Sequence, residues 1–371
     1  MAAADLESRD TSTPAARTGP MAWLRSFSEI SPARYRRFVL VALFFVSAII
    51  LTGAAVRLSG SGLGCPTWPR CTGDELVDVS EPHRAVEQIN RLFTGTIGLA
   101  CIAVFAASLR RRPYRRDLTR FGALLIAGVF LQAIIGGIVV LLELQWHSVV
   151  LHFLASILLL YGNLELLRRA GEPSTLRVSV VDRDVRGLTE TTFGLGVVVI
   201  ALGTLVTSAG PHGGDEDVER LDWHLTSAVR VHSIAVWVFV ATTIGLIVLA
   251  RRRGALTTAN RANALLALLM FQGVIGYLQW FNRVPPVLVE LHILGAVAVF
   301  IAVTWLRFGS FVARTGVEAE HTGSLHHLLG LKPTGDSLAS AAGISVKVLN
   351  GTVTQPIQPA DVLKAVTPIL G

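Results

Sequence analysis

The sequence predicts an all-α integral membrane protein whose eight transmembrane helices form two pseudo-symmetric four-helix bundles. Three observations carry this. Of 371 residues, 51% are hydrophobic and only 16% charged, far more apolar than a soluble domain of this length needs. Several apolar stretches reach the roughly 20 residues that cross a bilayer as a helix. A pattern at 131–152 also returns at 271–292.

Apolar runs bounded by charge or by Gly and Pro place the helices at about 38–57, 87–109, 120–142, 147–167, 188–208, 228–250, 262–281 and 285–306. Residues 1–37 read as a polar cytoplasmic N-terminal segment. Its Asp5, Glu7, Asp10 and Glu29 argue against a transit peptide, and no short apolar core precedes a small-residue cleavage site. The first span is therefore expected to stay in the mature protein. Residues 38–167 form the first bundle, 168–187 a cytoplasmic linker and 188–306 the second bundle. Residues 307–371 read as a partly disordered cytoplasmic tail, which holds all three lysines, Lys332, Lys347 and Lys364.

The formal charge is +7, but its distribution excludes nucleic acid as the partner. Arginines cluster between apolar runs, at 34–37, 110–116, 168–169 and 251–253, whereas the loop 209–227 is mostly acidic. Basic loops mark the cytoplasmic face. Both termini are then inside, and the loop holding Cys65 and Cys71 is outside.

In the repeated pattern, "LQAIIGG" at 131–137 matches "FQGVIGY" at 271–277, pairing Gln132 with Gln272 and Gly136 with Gly276. Twenty residues after each glutamine stands a histidine, His152 in "VVLHFLAS" and His292 in "LVELHILGA". Four helices, repeated after an even number of crossings, imply parallel repeats about an axis along the membrane normal.

Ionisable residues inside spans are costly and call for an explanation. His152, His232, His292, Glu87 and Asn90 all fall near the outer ends of even-numbered helices. His232 and His292, from two helices of one bundle, suit the two axial positions of a haem iron. Zinc fits less well, because no cluster of three or four ligands has its spacing. In the first bundle the position matching His232 is Asn90, a poor iron ligand. A haem there has one protein ligand, His152, and a face suited to chemistry rather than electron relay. Glu87 has two readings: an i,i+4 ion pair with Arg91 at the membrane surface, or a carboxylate beside the reaction centre. His83 and His147, near the surface, are either solvated or a substitute ligand.

Cys65 and Cys71 lie in "GSGLGCPTWPRCTGD", facing the oxidising side. A six-residue separation through glycine and proline is compatible with a bridge. Such a bridge is a small structural staple or, if exposed above a redox cofactor, an electron-exchanging pair. Cys101, mid-helix, reads as a small buried apolar residue.

The loop pattern G-S-G-L-G-C-P-x-W-P-x-C, the E-x-x-N-R that opens the second helix and the paired L-H motifs together resemble the haem A synthase family. "GPHGGD" at 210–215 and "VRVH" ending at His232 are similar to its actinobacterial branch. The resemblance covers about residues 38–306. It implies an oxidoreductase that converts the C8 methyl of haem O to a formyl group by successive hydroxylations, giving haem A for cytochrome c oxidase. It further implies a haem b on His232 and His292, with electrons entering there from an unidentified donor. Substrate haem O would lie near His152, Asn90 and Arg91, with Glu87 catalytic and Cys65 and Cys71 as a disulfide linked to function. Implied partners are membrane lipid, a haem O synthase and the oxidase assembly machinery. The chain departs from many relatives in having Asn90 where they have histidine. It also lacks the second cysteine pair that some carry between the fifth and sixth helices.

Two rivals stand beside this reading. A membrane b-type cytochrome that only relays electrons predicts two bis-histidine haems, against which Asn90 counts. A transporter with internal repeats predicts helices broken at midplane, whereas the polar groups here gather near one surface.

Overall fold

A computed structural model describes residues 29–173 and 177–313; the expectations for the extreme N-terminal segment and for the tail beyond 313 lie outside the described residues. The helices are α1 (Pro32–Leu58), α2 (Pro82–Arg110), α3 (Arg116–Leu141), α4 (Trp146–Gly171), α5 (Arg183–Ala209), α6 (Leu225–Arg252), α7 (Leu256–Phe281) and α8 (Pro286–Phe308). All eight are long and apolar enough to cross a membrane. Large side chains such as Phe44, Phe130, Leu158 and Phe281 stand well exposed on their outer faces, a surface that a soluble protein would bury. The chain is an all-α, multi-span membrane protein.

The helices outrun the apolar stretches mainly at their arginine-rich ends. α1 starts at Pro32, α3 at Arg116, α5 at Arg183 and α7 at Leu256. Arginine is a good helix former and ends the hydrocarbon match without ending the hydrogen-bond ladder. Ser31 caps α1 by accepting the Arg34 amide at 3.3 Å, and Pro32, Pro82 and Pro286 each open a helix, where a missing N–H costs nothing. Pro82 starts α2 earlier than the expected 87, so Glu87 sits in its second turn rather than opening it.

Within the first four helices, α1 and α3 each pack on α2 and α4, closing a ring. α5 and α7 each pack on α6 and α8 in the same manner. Contacts of α8 with α1 and α4, and of α4 with α5, join the two sets. Tyr35, Val39, Leu160 and Leu164 are fully or almost fully buried in one core cluster, and Phe239, Leu246, Leu265 and Leu306 in another.

Three loops are tied together at one end of the helices. Gly62 donates its amide to the Gly214 carbonyl at 2.8 Å. The His212 ring bonds the Val284 carbonyl at 2.8 Å, and Arg57 donates to the His212 and Thr207 carbonyls at 2.8 and 2.9 Å. At the other end arginines dominate. Arg115 forks onto Asp117, Arg168 onto Glu165, and Arg253 reaches Asp182 and Asp184. There a short strand β1 (Arg177–Ser179) pairs antiparallel with β2 (Phe311–Ala313).

The α3–α4 and α7–α8 turns are built alike. Glu143 and Leu144 have φ of 52° and 57°, and Arg283 and Val284 have 61° and 60°. Two successive non-glycine residues in the left-handed region are uncommon. These pairs stand the same distance apart in sequence as Gln132 and Gln272, so the sequence match extends to backbone conformation.

Candidate functional site

His232 on α6 and His292 on α8 face each other, with ring centroids 6.4 Å apart and planes at 71°. Each ring lies against a glycine of a neighbouring helix. A Cβ on Gly203 of α5 would stand 3.4 Å from Cε1 of His232, and one on Gly276 of α7 would stand 3.3 Å from Cε1 of His292. Gln272 fixes the backbone beneath His292: its amide donates to the His292 carbonyl at 2.7 Å and lies 3.3 Å from Nδ1.

The first half uses the same parts at His152. Gly136 of α3 approaches its Cε1, a Cβ there standing 3.4 Å away. Gln132 donates to the His152 carbonyl at 3.4 Å and to the Ser156 hydroxyl at 3.1 Å. The glutamine–histidine spacing read from the sequence is thus a hydrogen bond in both hairpins. Opposite, the parts differ. Asn90 on α2 accepts the Thr52 hydroxyl at 2.8 Å, and Gly53 on α1 has open space around it where Gly203 has an imidazole.

Asn90, His152, His232 and His292 line one cavity of about 1130 Å³, together with Gly53, Gly203 and Gly276. That volume exceeds the roughly 300–1,000 Å³ of a typical small-ligand pocket. All three histidines lie seven or eight residues into their helices, about two turns from the loop end. Two imidazoles brought this close from different helices could serve as a donor pair for one metal ion. His152 keeps a buried Nδ1 without a hydrogen-bond partner among the described residues.

Glu87 and Arg91 serve the cysteine loop instead of lining this cavity. Glu87 is 4% exposed. One carboxylate oxygen accepts the Cys65 amide at 2.7 Å, and the other binds Arg91, whose Nε stands 2.9 Å away. Arg91 in turn donates to the carbonyls of Cys65 and Thr67 at 2.7 and 2.9 Å. The i,i+4 ion pair is therefore present, and it clamps the loop. Cys65 and Cys71 are disulfide-bonded with Cα atoms 4.3 Å apart. Both are fully buried, which favours the structural staple of the two readings over an exposed electron-exchanging pair. Trp68, between them in sequence, lies on Gly137, where an added Cβ would enter its indole ring. The sequence reading missed this seat, although the Gly136–Gly137 doublet signalled two close approaches. It also missed Arg57, which lines the cavity while tying the end of α1 to the end of α5 and the loop that follows it. His83 bonds the Ser61 hydroxyl at 2.9 Å, His147 stacks edge-on with Trp146, and neither lines the cavity. Cys101 is buried, as expected.

Fold and site define a polytopic helical membrane protein with a histidine-lined cavity near one membrane surface. Residues 36–211, α1 through α5, match the COX15-CtaA family, described as cytochrome oxidase assembly protein. Among curated relatives, a heme A synthase of Shewanella oneidensis is 33% identical over 103 residues, 23% of this chain and 31% of that protein. A heme A synthase of Lysinibacillus sphaericus is 30% identical over 117 residues, 31% and 38% of the two chains. A protoheme IX farnesyltransferase of Chloroflexus aurantiacus is 36% identical over 107 residues, 28% of this chain and 18% of that protein. The chain thus spans less than half the length of each of these relatives.

Proposed function

We propose that the protein is a haem A synthase of the bacterial cell membrane, oxidising the C8 methyl of haem O to a formyl group by successive hydroxylations. The observation that carries this reading is the asymmetry of the cavity. One half opposes two imidazoles, while the other offers a single histidine against an amide. In this proposal His232 and His292 hold a haem b, and His152 holds the iron of substrate haem O. Haem groups supply the electron and oxygen chemistry of such a reaction when bound, while the protein orients the reacting carbon and excludes competing reactions.

This chain's residues suit that task. Gln132 and Gln272 fix the backbone under His152 and His292, and the close glycines fix the rings. Asn90, held by Thr52, leaves the substrate face without a second imidazole. Glu87, which the resemblance makes catalytic, stands outside the cavity lining beneath the cysteine loop. Its bonds to Arg91 and the Cys65 amide favour a positioning role, seating the disulfide loop over the site, rather than proton transfer. Positive-inside topology supports termini on the cytoplasmic face and haem sites toward the outer one. A haem O synthase, the cytochrome c oxidase assembly machinery and an electron donor belong to the same proposal.

The test is chromatography of pigments extracted from a strain lacking this protein. Loss of haem A with accumulation of haem O supports the synthase. Unchanged haem A would leave an electron-relaying cytochrome as the better reading.

A further inference from the structure

A second cavity, of about 710 Å³, opens at the arginine-rich end, far from the histidines. Its walls come from α1, α4, α7, α8 and β2, and its cationic groups are Arg36, Arg168 and Arg261. Arg168 is committed to Glu165 and Glu172, and Glu172, the one carboxylate in the lining, is committed in turn to Arg168 and Arg177. The other two are not neutralised. Arg36 has no hydrogen-bond or ion-pair partner among the described residues. Arg261 gives one N–H to the Trp305 carbonyl at 2.9 Å and stands 5.6 Å from the Trp305 ring. Two guanidinium groups from different helices therefore face one cleft with no acid among the described residues to balance them.

The rest of the cleft is apolar. Leu167, Phe308 and Val312 contribute to its walls, and Trp305 is 38% exposed at its edge. Phe38 and Val41 of α1 are exposed nearby in sequence, on a helix that faces the bilayer. A pair of forked cations suits a phosphate, and an aromatic residue at a helix end suits the headgroup level of a membrane. An inorganic phosphate would use the cations alone. A phospholipid uses cations, aromatic edge and apolar wall together, and basic pockets between transmembrane helices are where acidic headgroups bind.

We propose that this cleft binds the phosphate of one anionic phospholipid between Arg36 and Arg261, with its acyl chains leaving past Trp305 along the outer helix faces. The proposal does not depend on the haem chemistry, because none of its residues lines the histidine cavity.

The experiment uses the full chain, purified in mild detergent and examined by native mass spectrometry with titrated phosphatidylglycerol, phosphatidylcholine or inorganic phosphate. Wild-type protein should retain one anionic lipid in preference to phosphatidylcholine. R36Q/R261Q should bind it about thirtyfold more weakly, which is about 2 kcal/mol at about 1 kcal/mol per arginine near a membrane and about 1.4 kcal/mol per tenfold. R36K/R261K, which keeps the charges, should retain part of the affinity, and the absorption spectrum of each variant reports whether the histidine cavity is intact. Equal retention of both lipids by wild type, or equal anionic-lipid affinity in R36Q/R261Q, would overturn the proposal. So would displacement of the lipid by millimolar phosphate, which would make the cleft a site for the free anion, or failure of added lipid to bind while residues beyond 313 are present but not after their removal.

Discussion

Gln272 holds the carbonyl of His292 at 2.7 Å, whereas its counterpart Gln132 reaches the carbonyl of His152 only at 3.4 Å and shares itself with Ser156. One position explains the difference. Three residues after His292 stands Gly295, and a Cβ there would clash with Oε1 of Gln272. Three residues after His152 stands Ala155. With a methyl group in place of that glycine, the Gln132 N–H is found on the Ser156 hydroxyl.

Gly295→Ala should therefore displace Gln272 and loosen His292. The expected result is weaker haem retention with the protein still folded, since the rest of α8 is unaffected. Absorption spectra during haem titration measure it, and an unchanged affinity would show that Gln272 does not position the ring.

The opposed rings of His232 and His292 lead to a sharper expectation. His232→Ala or His292→Ala should each remove the low-spin haem b spectrum from purified protein, because a single remaining imidazole fills only one axial position. His152→Ala should leave that spectrum in place and abolish haem A formation in cells supplied with haem O. Full haem b retention in both of the first two variants would end the assignment.

Much of this was legible in the sequence. Eight spans follow from apolar length, and the glutamine–histidine spacing identified the two hairpins whose hydrogen bonds the structure displays. The depth of the histidines followed from their distance to the helix starts. What the sequence hid is carried by tertiary contact. Nothing local says that Arg91 reaches Cys65 and Thr67, because an i,i+4 pair with Glu87 already accounts for both charges. Nor does local pattern reveal that Trp68 folds onto Gly137, or that both cysteines are buried, since a Gly/Pro-rich loop reads as exposed. Helix ends were misjudged at the arginine-rich face because hydropathy detects the hydrocarbon boundary, not the end of the backbone ladder.

The clamp under the cysteine loop is open to a stability measurement. Arg91→Ala leaves the Glu87 carboxylate buried with only the Cys65 amide for company. Breaking a buried pair in this way costs about 3–5 kcal/mol, so thermal unfolding in detergent should shift clearly downward. Arg91→Lys should recover only part of it, because an ammonium cannot fork to Glu87 and reach two carbonyls together. Faster reduction of the Cys65–Cys71 bond in Arg91→Ala would accompany the loss of stability. An unfolding temperature equal to that of wild type would refute the clamp.

The twin turns give the opposite sign. Glu143 and Arg283 are exposed and held at φ of 52° and 61°, a region costing a side chain roughly 1–2 kcal/mol. Glu143→Gly and Arg283→Gly should each leave the turn intact and raise stability by up to about 1 kcal/mol, since the gain in relief is partly offset by glycine's greater freedom when unfolded. Paired unfolding curves decide it, and a loss of stability in both would mean that these side chains make contacts outweighing the strain.

The loop end should also respond to acid through Asp78, which lies outside the spans. The Ser80 hydroxyl and amide, at 2.6 and 2.8 Å, and Arg84, at 2.7 Å, hold its carboxyl below the usual carboxylate value. A carboxyl whose value falls on folding binds fewer protons in the folded state than in the unfolded one. Its contribution to stability is thus fully present above the ordinary carboxylate value and is lost as pH falls through the lower, folded one. Wild-type protein should hold its loop unchanged from neutrality to about pH 4 and weaken below that. In Asp78→Asn the loop should be weaker at neutral pH, and this acid-dependent part of the loss should disappear. Hydrogen exchange of the Ser80 amide, followed from pH 7 downward in both proteins, reads the effect directly. Parallel pH dependence in the two would show that Asp78 does not hold the loop.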